Sequence, residues 1–479
     1  MYSKTLEAYA MANPTVPQES AEERRDREAF WAMSGLLLVL AFIMLGLGLY
    51  FQLYKDHEPA PLLLGILAGF ILATPLEIWN WGDPDIVWRV MAFQDRFLIV
   101  CFGFAIGLGA LLLYGLYLIP GTAPHFGIKA FFVPGIVVGG LLFGIGVGLS
   151  GYFPGLIWIA LGQGRRDAVY AVIGGLLGAL TWSLIFGAAR GFFWNTLNFG
   201  SITWATLAGF SLSDRLGYFI VAVVFFIIMF SLFLFLPRYP GQPVRQSCGY
   251  HIVGANKESV VWEEVVAEEM RKYPKANKFI TRLTNESSIR NSRSIIALGI
   301  AFTVTAVAVI YLRQIFGEST TYAWIWAQIA YAIDPKWAAA NPYWQIFGGL
   351  GFHNGVPYDK PFSEIGWEPL SDLGTFLGAL ISSLFVSRRF LAFKRQVPSL
   401  WARRFGPSEA KRALGSFFGA YLVLFGARMA NGCASGHILS GNTQMAISSF
   451  VFMIFVMIGA WITLYGVLGL KINKWGFRK

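Results

Sequence analysis

Long apolar runs recur along the whole chain, and they constrain its fold more than any other feature of the sequence. Of the 479 residues, 56% are hydrophobic and only 14% are charged, whereas a soluble protein carries about 25% charged residues. A run of 18 or more apolar residues is long enough to cross a bilayer as a helix. The sequence therefore predicts an all-α, polytopic membrane protein surrounded by membrane lipid.

Ten segments have the length and hydrophobicity of membrane helices. They are 32–53, 61–80, 97–119, 130–151, 168–187, 217–237, 294–313, 372–387, 413–430 and 445–468. Their order divides the chain into an N-terminal tail, a first membrane half, an inner loop and a second membrane half. The predicted bounds of these parts are 1–31, 32–237, 238–293 and 294–479.

The distribution of basic residues predicts the orientation in the membrane. Lys and Arg are frequent in 238–293 and 388–412 and rare in the loop 314–371. The positive-inside rule then places both termini and the two basic loops in the cytoplasm, and 314–371 outside. The net charge of +11 is explained by this topology, so no nucleic-acid partner is predicted. We expect a multi-pass protein of the bacterial inner membrane.

The loop 314–371 is also rich in Trp and Tyr. Because aromatic rings settle at the headgroup level of a bilayer, short interfacial helices are expected in this loop. The alternative is a lid over a ligand site.

The segment 426–441, GARMANGCASGHILSG, cannot form a plain lipid-facing helix. Its four glycines free backbone groups that lipid cannot hydrogen-bond, so protein must shield the segment or it must line a cavity. It is the part of the chain where a polar solute is most readily expected to enter the bilayer.

A second stretch, GGLLFGIGVGLSGYFPGLIWIALG, resembles the first, because Gly151 and Gly155 match Gly432 and Gly436. Under the predicted orientation, the helices that precede the two G-x-x-x-G units run in opposite directions. This pattern predicts an inverted repeat with short re-entrant helices, whose N-termini offer backbone N–H groups to an anion. The alternative is that both units are helix-packing motifs.

Four polar side chains of the second stretch could act on such an anion. Cys433 is a soft nucleophile if its thiol ionises, and Arg428 carries a fork that binds oxyanions in two places. Ser435 and His437 can donate hydrogen bonds. The alternatives are a small packing residue for Cys433 and an ion pair or carbonyl contact for Arg428.

Other polar residues are given structural interpretations. Arg165, Arg166 and Asp167 are expected to mark an inner turn, and Cys101 is expected to lie in the core. Cys248 is expected to be an inert thiol of the inner loop. No metal site, nucleotide-binding motif or cofactor motif is present in the sequence.

The segment around Cys433, followed by QMAISSFVFMIF, resembles the signature of the YeeE/YedE membrane family, which includes thiosulfate transporters. The resemblance is good over 130–187 and 413–468. It implies uptake of small sulfur anions through a pore lined by short helices, with pore cysteines that contact the sulfur. It also implies a cytoplasmic sulfur-carrier protein as a partner. Only Cys433 matches a family cysteine, since Tyr152 stands at the corresponding place in the first half.

These features together predict an inner-membrane permease for a small anion, thiosulfate or a related sulfur compound. The predicted binding residues are Cys433, Arg428, Ser435, His437, Gly432, Gly436, Tyr152, Gly151 and Gly155. The leading alternative is a non-transporting membrane subunit that keeps a degenerate transporter fold. A membrane sulfurtransferase is a third hypothesis, and the single candidate thiol argues against it.

Overall fold

The chain folds into a bundle of helices joined by short connections, as seen in a computed structural model. In the part of the chain that the structure describes, the regular structure is helical apart from one pair of two-residue antiparallel strands, β1 (Phe352–His353) and β2 (Val356–Pro357). The structure describes residues 21–93, 96–234, 289–348, 352–353, 356–357 and 366–470. The predicted inner loop 238–293, with Cys248, lies almost wholly outside the described residues.

Nine α-helices precede this inner loop within residues 21–93 and 96–234, which the structure describes. They are α1 (Ala21–Tyr54), α2 (Leu64–Ile78), α3 (Pro84–Met91), α4 (Arg96–Tyr117), α5 (Val133–Ser150), α6 (Pro154–Gly162), α7 (Arg166–Arg190), α8 (Trp204–Leu207) and α9 (Arg215–Leu234). A π-helical turn, Gly191–Asn195, extends α7.

Among the described residues from 289 to 470, eight α-helices follow the inner loop. They are α10 (Ile289–Leu312), α11 (Thr320–Ile333), α12 (Pro335–Ala340), α13 (Trp344–Phe347), α14 (Trp367–Ile381), α15 (Ser399–Phe405), α16 (Glu409–Met429) and α17 (Ile447–Gly466). A π-helical turn, Ser382–Val386, extends α14. A second π-helical segment, Ser435–Gly441, stands between α16 and α17.

Every one of the ten predicted segments coincides with a helix. In the described part of the chain, seven helical stretches are long and apolar enough to cross a membrane, which shows a multi-pass membrane protein. They are Glu28–Tyr54, Ile99–Tyr117, Val133–Gly162, Arg166–Asn195, Arg215–Leu232, Trp367–Val386 and Ile447–Gly466. Two further apolar helices, Leu64–Ile78 and Ile296–Leu312, are shorter.

The helices pack in pairs that bring the two halves of the chain together. Helix α1 lies against α10, and α2 against α14. At the centre, α5 packs against both α16 and α17, while α16 packs against both α5 and α7. Each of the two central helices thus contacts the other and also the long helix that follows its partner.

Glycine allows α5 and α16 to approach until their backbones touch. A Cβ added to Gly146 would lie 2.5 Å from the carbonyl oxygen of Gly419, and one added to Gly426 would lie 2.5 Å from that of Gly139. Small residues at such contacts are how membrane helices gain close packing, since burial of apolar surface does not drive helix association in lipid.

Three local features add detail that the sequence does not reveal. Helix α1 begins at Ala21, inside the predicted tail 1–31, because the charged run AEERRDRE consists of good helix formers. The outer loop does contain short helices, but Tyr343 and Trp344 are buried in the protein rather than placed at a lipid surface. Arg412 of the basic loop 388–412 is also buried.

A buried ion pair explains the position of Arg412. Its Nη2 lies 2.7 Å from Oδ2 of Asp167 and donates to the carbonyl oxygen of Ser150 at 2.6 Å. Arg165 contacts Asp167 from the other side at 3.3 Å. Asp167 and Arg165, which the sequence marks only as an inner turn, thus join the starts of α7 and α16 to the end of α5.

The glycine contact predicts a difference between two substitutions. Gly146→Ala should destabilise the protein by about 1–3 kcal/mol, because the new methyl group overpacks the α5–α16 contact. The matched control is Gly46→Ala in α1, where a Cβ would meet nothing within 4 Å. The heat resistance of both variants is measured as the fraction of protein that stays monodisperse after heating in detergent. Equal heat resistance of the two variants would contradict the packing argument.

Candidate functional site

Both G-x-x-x-G stretches are breaks between helices. Helix α5 ends at Ser150, Gly151 adopts a left-handed φ of 75°, and α6 starts at Pro154. Helix α16 ends at Met429, and Asn431 adopts a left-handed φ of 56° before the π-helical segment. Proline at the first turn of α6 suits a helix start, because its missing N–H would have no partner there.

Side chains satisfy the carbonyl groups that the second break leaves open. Past the end of α16, the carbonyls of residues 429–431 accept from Trp194 Nε1 at 2.8 Å, His437 Nε2 at 2.9 Å and Lys129 Nζ at 2.7 Å. At the first break, Arg412 donates a hydrogen bond to the carbonyl oxygen of Ser150. A cation therefore stands at the negative end of the helix dipole at both breaks.

One carboxylate connects the two breaks. Glu318, in the turn between α10 and α11, lies so close to Gly155 at the start of α6 that a Cβ there would overlap it. The hydroxyl of Ser435, at the start of the π-helical segment, hydrogen-bonds to the same carboxylate, and Thr375 donates to its Oε1 at 3.4 Å. The beginnings of α6 and of the π-helical segment thus converge on Glu318.

Cys433 lies beside this meeting point. Its side chain is 1% exposed, and its Sγ is 3.0 Å from the hydroxyl oxygen of Ser435. It is a free thiol. The groups that act on it electrostatically are Lys129, Arg428, Asp372 and Tyr322.

Arg428 is buried, and its guanidinium is held by hydroxyl groups. Its Nη1 donates to Ser319 at 2.7 Å and Thr320 at 3.1 Å, and its Nε donates to the hydroxyl of Tyr343. Its central carbon lies 5.1 Å from the ring centre of Phe347. Among the described residues, no carboxylate forms an ion pair with Arg428 within 4 Å, so its charge is available to an anion.

Lys129, which precedes α5, supplies a second cation that the sequence pattern does not single out. Its side chain passes over the second G-x-x-x-G unit. A Cβ on Gly432 would be 3.3 Å from Lys129 Cε, and one on Gly436 would be 4.0 Å from Nζ. Burial lowers the pKa of Lys129 to about 8, with Glu368 opposing that shift. A lone lysine before an apolar run is typical of an ordinary helix end, which is why the sequence hides this role.

His437 braces the break and has no free nitrogen for an anion. Since a carbonyl can only accept, Nε2 donates to Ala430, and Nδ1 is 3.0 Å from the hydroxyl oxygen of Ser449. The ring stacks on Phe452 with a centroid separation of 4.5 Å. A Cβ on Gly432 would come within 2.8 Å of this ring, so Gly432 is required by packing.

Tyr152 lies in a different cluster from Cys433. Its hydroxyl accepts from Arg165 Nε at 3.2 Å, and the guanidinium carbon of Arg412 is 5.6 Å from its ring centre. A Cβ on Gly151 would lie 2.4 Å from a side-chain atom of Pro84, so a side chain larger than glycine would displace α3. Tyr152 and Gly151 therefore help to hold the Arg412 cluster together.

Three carboxylates surround the Cys433 site, and the sequence presents two of them only as charges of an outer loop. Glu368 Oε2 accepts from the backbone N–H of Thr320 at 2.8 Å. Asp372 interacts electrostatically with both Glu318 and Cys433. The site therefore combines two cations, a thiol and several hydroxyls with three opposing carboxylates.

Comparison with known proteins gives two findings. The sequence model of the family described as "Sulphur transport" matches residues 85–462. A curated relative, "Thiosulfate transporter TsuA" of Spirochaeta thermophila, is 24% identical over 186 residues, which cover 35% of this chain and 50% of the relative. The chain thus spans about half the length of that relative. Because the family match covers most of the sequence and both helix breaks, the chain belongs to the sulphur transport family.

Proposed function

We propose that this protein is a permease of the bacterial inner membrane that takes up thiosulfate or a related small sulfur anion. The observation that supports this most is the convergence of α6 and the π-helical segment beside Cys433, with Arg428 and Lys129 close by. We take these two elements to be the re-entrant segments. Membership of the sulphur transport family and the name of the thiosulfate-transporting relative agree with it.

The proposed architecture is an inverted repeat with ten membrane crossings and both termini in the cytoplasm. In support, the contact of α5 with α17 is matched by the contact of α16 with α7, and α5 and α16 meet each other at the centre. Inverted repeats of transporters place discontinuous helices at such an interface. The domain bounds predicted from the sequence follow this division.

In the proposed binding mode, Arg428 and Lys129 attract the anion, and Ser435 and the starts of the re-entrant segments donate hydrogen bonds to its oxygens. Cys433 contacts the terminal sulfur transiently through its polarisable thiol. No bond of the substrate is broken in this scheme, so the protein acts as a transporter and not as an enzyme. A cytoplasmic sulfur-carrier protein would receive the sulfur anion after release.

Replacement of Cys433 tests the thiol contact. Cys433→Ala removes one sulfur contact, comparable to a hydrogen bond of about 0.5–1.5 kcal/mol. The apparent affinity for thiosulfate should therefore fall about 2- to 10-fold. Uptake of labelled thiosulfate into vesicles that contain the purified protein measures it. The control is Cys101→Ala, a half-buried thiol of α4, which should transport like wild type.

Normal uptake by Cys433→Ala would count against the thiol contact. If the wild-type protein itself carries no flux of any sulfur anion and instead co-purifies with a stable partner, the non-transporting subunit becomes the better explanation.

Replacement of Lys129 tests the role of charge. Lys129→Gln should raise the KM for divalent thiosulfate about 10- to 100-fold, because a charge-assisted hydrogen bond is worth about 1.5–3 kcal/mol. The inhibition by monovalent thiocyanate should change less, since the lost attraction is proportional to the charge of the ligand. Competition between the two anions in the same vesicles measures the ratio. Lys336→Gln, an exposed lysine of α12, is the matched control, and equal losses for both anions would argue against a charge effect.

A further inference from the structure

Glu318 occupies the place that an incoming anion would need. Its carboxylate lies directly against Gly155, in the first turn of α6, where the positive end of the helix dipole favours negative charge. It also accepts a hydrogen bond from Ser435, which is a predicted hydrogen-bond donor to the substrate. The protein therefore carries its own anion at the proposed binding position.

The charges around this position do not favour a second anion while every group is ionised. Lys129 and Arg428 supply two positive charges, against three carboxylates that interact with one another. Titratable or charged groups from five parts of the chain face Glu318 and the two other carboxylates. They are Glu368 and Asp372 of α14, Tyr322 of α11, Arg428 of α16, Cys433 of the second break, and Lys129 before α5. A dianion would enter a cluster that is already negative.

Asp372 indicates that a positive species belongs in this cluster. Its side chain is 2% exposed. The hydroxyl of Thr321 faces it, but neither carboxylate oxygen has a well-formed hydrogen bond among the described residues. A buried carboxylate without a partner is costly unless it binds a proton or a cation. A proton taken up by one of the three interacting carboxylates would lower this cost, because it removes one of the buried negative charges.

We propose that Glu318 couples transport to protons. Its carboxylate competes with the transported anion for the start of α6. When Glu318 takes up a proton and becomes neutral, the start of α6 can bind the anion instead. The anion and the proton therefore enter together. This inference rests on the proposed function. One proton joins the carboxylate to give a carboxylic acid when the anion binds, and it returns to water in the cytoplasm when the anion leaves. No oxidation or reduction takes place.

The acidity of Glu318 agrees with this exchange. Burial raises the pKa of Glu318 to about 7, with Glu368 adding to the shift and the hydrogen bonds of Ser435 and Thr375 opposing it. Below pH 7 the group is mostly neutral and no longer repels the substrate, whereas above pH 7 it is mostly ionised. Uptake should therefore increase as the pH falls through 7.

The experiment uses proteoliposomes with the full-length protein, labelled thiosulfate outside and a pH-sensitive dye inside. For wild type, we expect the initial rate to rise about 10-fold between pH 8 and pH 6, as expected for one group with a pKa near 7. We also expect thiosulfate to acidify the interior. Above pH 8, loss of charge on Lys129 should lower the rate further.

Two variants separate the coupling role from a structural one. Glu318→Gln should transport thiosulfate downhill without acidification. Its rate should fall no more than about twofold between pH 6 and pH 8, which is the change that titration of Lys129 contributes. Thr375→Val removes a hydrogen bond that stabilises the ionised form, so it should shift the midpoint of the pH profile upward. Glu409→Gln, in a half-exposed contact with Arg166, is the control and should keep the wild-type profile.

The outcomes distinguish this inference from the proposed function. Absence of thiosulfate uptake by wild type at every pH would overturn the permease itself. Uptake with a flat pH profile in wild type, or with the same profile in wild type and Glu318→Gln, would overturn proton coupling and leave the permease intact. If Glu318→Gln fails to elute as a monodisperse protein, the midpoint shift of Thr375→Val decides.

Discussion

The structure depends on the need to satisfy backbone groups wherever a helix is interrupted among apolar helices. Lipid supplies no donors, so each freed carbonyl must be met from within the protein. The carbonyls of residues 429–431 are met one by one by Trp194, His437 and Lys129, and Arg412 meets the end of α5. Because these donors come from distant segments, the breaks exist only in the assembled bundle.

This dependence explains how much the sequence could predict. The apolar segments and the two breaks follow from local composition, since hydrophobicity and glycine act over a few residues. The partners of the breaks do not, because Lys129 lies about three hundred positions before Asn431, whose carbonyl it meets. Glu318 and Glu368 carry no local signal of their own and are brought to Cys433 only by the packing of α11 and α14.

The same reasoning shows why similar residues at the two breaks have different surroundings. Cys433 and Tyr152 follow the two matched glycines at comparable spacing, yet Cys433 faces the central cluster and Tyr152 faces Arg165. A sequence match fixes the position along the chain, but it does not fix the direction of the side chain. The direction depends on the partner elements, which are α11 and α14 for Cys433 and the starts of α7 and α16 for Tyr152.

The glycine contact between α5 and α16 also limits where a solute can travel. With the backbone at Gly146 touching that at Gly419, and Gly139 touching Gly426, the seam between these two helices leaves no room for even a methyl group. A hydrated ion is far larger than a methyl group, so it cannot pass along that seam. The α5–α16 contact therefore acts as a sealed seam, and a conduit through the molecule cannot run between these two helices.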